Sequence, residues 1–203
     1  MQAALTLLPE PYYSKVCHLW EMLDRQFGLH YVNVTPFPHF TWQLGERYQE
    51  AELLPLLQRF MLCQKPFEVT TQGLAHFPGE APVLFIAIHN PPALRKLHSA
   101  LWELLTPLTA EPSLLYSPKT WQPHITLASK DLSWEMLDEV KAFLQAEDLN
   151  WRFSVDNLAI AFQNGEGKTQ VGHIFRFGKG LTESFDFGSE DFRPFPRSTI
   201  RIM

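Results

Sequence analysis

The sequence has few of the features that mark secreted, metal-binding or membrane proteins. Among its 203 residues are only two cysteines, Cys17 and Cys63, and no CxxC pair. This scarcity excludes a disulfide framework and a zinc knuckle and favours a reduced compartment. No apolar run approaches the roughly 18 residues that a membrane span needs, and the first residues lack the segments of a signal peptide. We therefore expect a cytoplasmic protein that has no contact with membranes.

Positive charge is also scarce. Seventeen Lys and Arg side chains stand against 22 Asp and Glu, which gives a formal net charge of −5 at pH 7. A general basic coat for DNA is therefore excluded, and any contact with a nucleic acid must be local. The chain is nevertheless 45% hydrophobic, and its length suits one large domain or two small packed lobes, which excludes intrinsic disorder.

Hydrophobic periodicity predicts a mixture of helices and strands. Short apolar runs bounded by proline or glycine indicate strands, and apolar residues at spacings of three and four indicate helices. One helix is predicted after each of the first two strands, a further one after residue 90, and the last one after residue 133. The predicted strands lie at 3–8, 36–44, 67–76, 83–88 and 122–128, near 151–162 and at 171–177.

The second half of the chain repeats the order of the first. The motifs His39-Phe40-Thr41 and His124-Ile125-Thr126 stand 85 residues apart, and other apolar landmarks keep nearly the same offset. Two copies are too few for a stacked solenoid, which usually needs three or more units. The repeat predicts an α+β fold: a bilobal, duplicated α/β unit with two antiparallel-rich sheets that flank a central cleft.

This duplication also predicts the domain organisation. We expect a single domain over residues 1–203, built from repeat units at about 36–90 and 121–178. Residues 180–203 lie outside the repeat, and their phenylalanines and prolines predict a C-terminal extension that packs over the surface. The expected oligomeric state is a monomer.

The two His-x-Thr motifs present polar side chains on one face of each strand. Side chains two residues apart on a strand point to the same side, so each histidine shares a face with its threonine, and the residue between them is buried. One such motif is a weak signal, because chance gives about half an instance in a chain of this composition. Two motifs at equivalent repeat positions, each preceded by proline, are a strong one.

Paired histidines suit phosphoryl transfer. Two imidazoles with ordinary pKa values near ~6.5 can act as general base and general acid. An in-line displacement at phosphorus puts the attacking and leaving oxygens on opposite sides, so His39 and His124 can each serve one oxygen. The hydroxyls of Thr41 and Thr126 would then donate to non-bridging phosphate oxygens. Such a mechanism calls for no metal and no cofactor.

The paired motifs, the duplicated element order and the chain length resemble the 2H phosphoesterase superfamily. The likeness is greatest to the 2′-5′ RNA ligase-like (LigT-like) RNA 2′,3′-cyclic phosphodiesterases, and it covers about residues 3–178. It implies a bilobal fold with a central cleft and metal-independent cleavage of 2′,3′-cyclic phosphates. It also implies catalytic roles for His39, Thr41, His124 and Thr126.

One position departs from the family pattern. In bacterial RNA cyclic phosphodiesterases the second motif commonly continues as His-x-Thr-Leu-Ala-Arg, whereas this chain has Ser129 at the arginine position and Lys130 one step further. On a regular strand Lys130 would point to the opposite face, unless a bulge intervenes.

These observations give two functional hypotheses. The first is a hydrolase of RNA processing that opens 2′,3′-cyclic phosphates on RNA ends or on cyclic nucleotides, with possible 2′-5′ ligation as the reverse chemistry. The alternative is a non-catalytic nucleotide or RNA-end binding protein that uses the same cleft. In both, the partner is an RNA end or a cyclic nucleotide.

Four further residues are candidates for substrate binding. Trp42 and Phe77 are aromatic residues near the motif strand and the hairpin end, where they could stack on a nucleobase. Lys130 and Lys168 could meet phosphate. Core packing is the alternative for the aromatic residues, and solvent exposure is the alternative for the lysines.

The remaining histidines are expected to lie outside the site. His76 and His89 are predicted at a strand end and in a loop, where solvent exposure is the simpler interpretation. His98 lies beside the leucine stripe of a helix and is predicted to be at the surface. The histidine spacings indicate no metal site.

Overall fold

Residues 1–184 of the computed structural model are described, and they form a mixed α+β fold. The predicted C-terminal extension is described only as far as its first strand, and the rest of it lies outside the described residues. The helices are α1 (Tyr12–Phe27), α2 (Glu50–Leu62), α3 (Pro92–Leu105) and α4 (Trp134–Phe143). The strands are β1 (Gln2–Leu7), β2 (His39–Gly45), β3 (Arg47–Tyr48), β4 (Phe67–Phe77), β5 (Val83–Ile88), β6 (Thr109–Ala110), β7 (His124–Ala128), β8 (Arg152–Val155), β9 (Asn157–Gln163), β10 (Thr169–Arg176) and β11 (Gly180–Ser184).

Two antiparallel sheets carry the architecture. The larger has the strand order β11-β10-β9-β1-β2, and the smaller has the order β7-β5-β4-β8. Both motif strands, β2 and β7, are therefore edge strands, and they lie against each other. The predicted α+β class with two antiparallel sheets is confirmed.

Strands of each repeat unit are divided between the two sheets. The first unit supplies β2 to the larger sheet but β4 and β5 to the smaller one, and the second unit supplies strands to both sheets as well. The cause is that β2 pairs with the N-terminal strand β1, whereas β7 pairs with β5 of the other unit. Each sheet is therefore built from strands of both repeat units. The sequence repeat predicts instead that each lobe is one repeat unit.

Each motif strand contains a bulge directly after its threonine. In β2, Thr41 pairs with Leu5 and Gln43 pairs with Ala4, which leaves Trp42 as the extra residue. A bulge bends a strand and re-aims the side chains that follow it. Here the bulge leaves both Trp42 and Gln43 buried, so the alternation of buried and partly exposed side chains ends at this point.

The bulge in β7 stands 85 residues further along, at the matching repeat position. Thr126 pairs with Phe85 and Ala128 pairs with Leu84, so Leu127 is the extra residue. The duplicated bulge shows that the two strands share their local backbone design as well as their histidine and threonine.

The centre of each motif lies in the core, as predicted. Phe40 and Ile125 are both fully buried. Helix α3 packs against β2, and helix α1 packs against β7, so each motif strand has one helix behind it. Gly28, in the left-handed region at φ 71°, ends α1 with its N–H bonded to Asp24. Within residues 1–184, no helix is both long enough and apolar enough to cross a bilayer.

Candidate active site

The two motif histidines lie in adjoining compartments of one cleft. His39 lines a compartment of about 360 Å³, and His124 lines a second one of about 550 Å³. We call these the His39 compartment and the His124 compartment. Both histidine side chains are half-buried. The two compartments meet at three residues that line both of them, namely Tyr116, Thr126 and Ser129.

Both imidazoles are held in the same way. The Nδ1 of His39 lies 2.8 Å from the carbonyl oxygen of Phe37, and the Nδ1 of His124 lies 2.7 Å from that of Gln122. A carbonyl oxygen can only accept a hydrogen bond, so Nδ1 carries the proton in each ring. The Nε2 of each histidine is therefore left for proton exchange with a substrate.

Burial keeps both rings neutral at pH 7. The pKa of His39 is lowered to about 4, mainly by desolvation and to a smaller extent by His124, and the hydrogen bond to Phe37 opposes this shift. Desolvation also lowers the pKa of His124, against the hydrogen bond to Gln122. His124 is therefore near enough to His39 to influence its protonation.

Tryptophan side chains fix the backbone of both motif threonines. The indole N–H of Trp121 donates to the carbonyl oxygen of Thr41 at 2.8 Å, and that of Trp20 donates to Thr126 at 3.0 Å. The strands are thus tied at equivalent points from outside their sheets, because Trp20 belongs to α1 and Trp121 precedes β7. Such support limits the freedom of both motifs.

The two threonine side chains have different surroundings. Thr126 lines both compartments, as a residue that contacts a bound phosphate would. Thr41 lines neither of them, and its side chain lies beside that of Tyr116, whose pKa is raised by burial. Tyr116, in the turn Leu114–Tyr116, lines both compartments. No pattern in the sequence pointed to this tyrosine, because a short turn has no periodicity.

Two of the four predicted substrate contacts lie in the cleft. Phe77 lines the His124 compartment, with its ring edge-on to His124 at a centroid distance of 4.9 Å. Lys130 lines the His39 compartment, and its Nζ lies 4.8 Å from the ring centroid of Tyr31. The bulge in β7 and the turn after Ala128 bring Lys130 to this side.

The other two predicted contacts lie elsewhere. Trp42 is only 1% exposed and belongs to the core, where its indole N–H donates to the Thr6 hydroxyl at 2.9 Å. The prediction that it stacks on a nucleobase is wrong, and the alternative of core packing holds, since Trp42 shares the buried face of Phe40. Lys168 is exposed in the turn between β9 and β10 and lines neither compartment.

One further histidine prediction is also wrong. His98 is 1% exposed, not at the surface, because α3 turns this position towards β2 together with its leucines. His76 and His89 are exposed, as expected, and line neither compartment. In the part of the chain that the structure describes, no three His, Cys, Asp or Glu side chains are grouped so that they could hold a metal ion.

The buried histidines predict a loss of stability in mild acid. His98 has a folded pKa of about 4, lowered by burial, against an unfolded value near ~6.5. The unfolded state therefore binds more protons below that value, and stability falls as the pH drops from about 6.5 towards 4. For His98 alone, we expect roughly 2 kcal/mol to be lost between pH 7 and pH 5; His39 and His124 add to this loss.

Urea unfolding at several pH values between 7.5 and 5 measures this effect. The free energy of unfolding should decrease throughout that range, and His98→Gln should decrease less steeply than the wild-type protein. A free energy that is constant from pH 7 to pH 5 would contradict the assigned neutral state of these rings.

Together, the α+β fold and the paired His-x-Thr edge strands place the chain among the 2H phosphoesterases. A family model described as the 2′-5′ RNA ligase superfamily matches residues 12–167. The chain belongs to that superfamily, whose chemistry concerns phosphodiester bonds. No curated protein matches the chain.

Solved structures that resemble this chain include three proteins of low sequence identity. TT0787 of Thermus thermophilus shares the fold: it is 21% identical with a TM-score of 0.61, and the match covers 87% of this chain and 97% of that one. LigT of E. coli, complexed with 3′-AMP, is 16% identical with a TM-score of 0.46, covering 91% and 95%. Usb1 of Kluyveromyces marxianus is 12% identical with a TM-score of 0.46, covering 84% and 96%.

Proposed function

We propose that this protein hydrolyses 2′,3′-cyclic phosphates, on RNA ends or on small nucleotides, without a metal ion. The observation that carries the proposal is the matched pair of imidazoles. Each ring is fixed through Nδ1 to a carbonyl two residues earlier, and each leaves Nε2 available beside a shared cleft. An in-line displacement needs one proton acceptor and one proton donor on opposite sides of phosphorus.

The difference between the compartments supports an assignment of the two roles. Phe77, Leu115 and Trp121 give the larger His124 compartment apolar walls that suit a nucleobase and its ribose. The ribose oxygen that leaves phosphorus would then be next to His124, which acts as the acid. His39, on the other side, acts as the base for the attacking water.

The proton balance is closed within the site. His39 Nε2 takes a proton from water as the new P–O bond forms, and His124 Nε2 gives a proton to the ribose oxygen as its P–O bond breaks. The product is a 2′- or 3′-phosphomonoester. Burial lowers both pKa values, so both rings are neutral before substrate binds. His124 takes up its proton when the phosphate anion enters, because a nearby negative charge stabilises the imidazolium.

Hydroxyl groups complete the site. Thr126 and Tyr116 line both compartments, and we assign their hydroxyls as donors to the non-bridging oxygens as negative charge develops. Thr41 contributes through its contact with Tyr116. If a ribose 5′-hydroxyl replaces water, the same arrangement supports 2′-5′ ligation, the chemistry for which the superfamily is named.

A second candidate function is phosphate binding without turnover. It is favoured by the lowered pKa values of His39 and His124, which leave both rings neutral at pH 7 until an anion binds. In this case Thr126, Tyr116 and the imidazoles would hold a nucleotide phosphate in the cleft. The two candidates differ in whether the cyclic ester is opened.

Turnover of 2′,3′-cyclic AMP and 2′,3′-cyclic UMP in the presence of EDTA tests the proposal. We expect a phosphomonoester product and a bell-shaped pH dependence of kcat/KM, because one histidine must be neutral and the other protonated. Chromatography of the products follows the reaction, with 3′-AMP and 2′-AMP as standards. Tight binding with no product would favour the second candidate, and activity abolished by EDTA would overturn the metal-independent mechanism.

A further inference from the structure

A buried histidine outside the cleft links two parts of the proposed site. His98 projects from α3, is 1% exposed, and lines neither compartment. Its Nε2 lies 3.2 Å from the carbonyl oxygen of Trp42 and 3.1 Å from that of Tyr116. Both partners are acceptors, so Nε2 carries the proton and donates to both. One N–H therefore joins β2 to the turn that carries Tyr116.

Aromatic stacking fixes the orientation of that imidazole. The His98 ring lies against Trp121 with a centroid distance of 3.8 Å and an interplanar angle of 4°. Trp42 and Trp121 are also nearly parallel, with centroids 5.4 Å apart. Because the Trp121 indole N–H donates to Thr41, this group of rings connects α3 with the first motif and with the segment before the second.

The segment 113–121 is anchored by Trp121, which belongs to the core, but its start is exposed. Leu114 and Leu115 are 74% and 77% exposed, and several of its hydrogen bonds are internal to the segment. Its links to the rest of the protein include Ser113 N–H to Leu44, the indole of Trp121, and the carbonyl of Tyr116 on His98. Removing one of them should therefore change where the phenol lies.

We propose that His98 is a positioning residue, which sets the place of the Tyr116 phenol and of Thr41 relative to the two catalytic imidazoles. This inference rests on the proposed function, because it assigns the phenol a contact with phosphate. A core position beside leucines needs no polar atom, and a buried donor is costly unless it is bonded. The two carbonyls that His98 joins belong to Trp42, which follows Thr41, and to Tyr116 itself.

Two substitutions separate the hydrogen bond from the packing. His98→Phe keeps a flat ring against Trp121 but loses the donor, whereas His98→Gln keeps an N–H donor but loses the ring. His18→Gln, at an exposed position of α1, is the matched control. We expect His98→Phe to lower kcat by about 10- to 100-fold with little change in KM, because a small misplacement of a group near the reacting atoms has such effects. His98→Gln should recover most of this loss.

Hydrogen exchange gives a second measurement that does not depend on turnover. Peptides that cover 113–121 should exchange faster in His98→Phe than in the wild-type protein, and His98→Gln should restore protection. If the wild-type protein opens no cyclic phosphate, the proposed function fails, while this exchange difference still tests the link made by His98.

Three results would overturn the inference. The first is unchanged exchange of 113–121 in His98→Phe. The second is faster exchange with wild-type kcat. The third is an equal loss of kcat in both variants that follows their loss of thermal stability, which would mean that His98 only packs.

Discussion

Replacing either motif histidine with alanine is expected to lower kcat/KM for 2′,3′-cyclic nucleotides by about 10²- to 10⁴-fold, the range that a positioned acid or base contributes. His39→Ala removes the proposed base and His124→Ala removes the proposed acid. The double variant should be little worse than the poorer single variant, because groups that act in one step are not additive. Steady-state kinetics on 2′,3′-cyclic AMP measures all three.

The pH profiles of the two variants should differ in direction. Without the base, His39→Ala should lose the acidic limb of the bell, and without the acid, His124→Ala should lose the basic limb. This comparison tests the assignment that we draw from the apolar walls of the His124 compartment. The opposite pattern would exchange the two roles but keep the mechanism.

His89→Ala provides the matched control, since His89 is exposed and lines neither compartment. It should leave kcat/KM within about twofold of the wild-type value, as expected for a surface substitution. Circular dichroism should show the same folded spectrum for every variant. Wild-type activity in folded His39→Ala or His124→Ala would remove the basis of the proposed function.

The motif geometry could be predicted from the sequence because a strand has a period of two. The alternation of His39, Phe40 and Thr41 specified which face is buried, and the repeat at His124 doubled the signal. The structure buries Phe40 and Ile125 fully, as that period requires. The same rule, extended by one step, would have put Trp42 on the buried face beside Phe40.

Other features depend on contacts between distant parts of the chain. The pairing of β2 with β1 and of β7 with β5 decides which strands share a sheet, and no local pattern specifies it. Tyr116 enters the cleft because of the turn that carries it. His98 is buried because β2 and Trp121 cover that side of α3. The periodicity of one helix or strand does not indicate which distant residues it contacts.

Replacing Trp42 with alanine is expected to lower the free energy of unfolding by roughly 3–5 kcal/mol, as for other buried tryptophans. The indole is 1% exposed, its N–H donates to Thr6, and its ring packs edge-on to Phe40 at 4.9 Å. Trp42→Phe should cost less, because it leaves a smaller cavity. Urea unfolding with the tryptophans that remain as the fluorescent probe measures both losses.

Phe77→Ala is the corresponding substitution in the cleft. Its comparison with Trp42→Ala distinguishes a residue of the core from a residue that contacts the substrate. Phe77 lines the His124 compartment and is half-buried, so its loss should cost little stability. It should raise KM for 2′,3′-cyclic AMP by about tenfold, because base stacking on an aromatic ring contributes about 1–3 kcal/mol. Folded Trp42→Ala should keep a KM near the wild-type value. A large rise in KM for Trp42→Ala without loss of stability would instead put this indole in contact with the base.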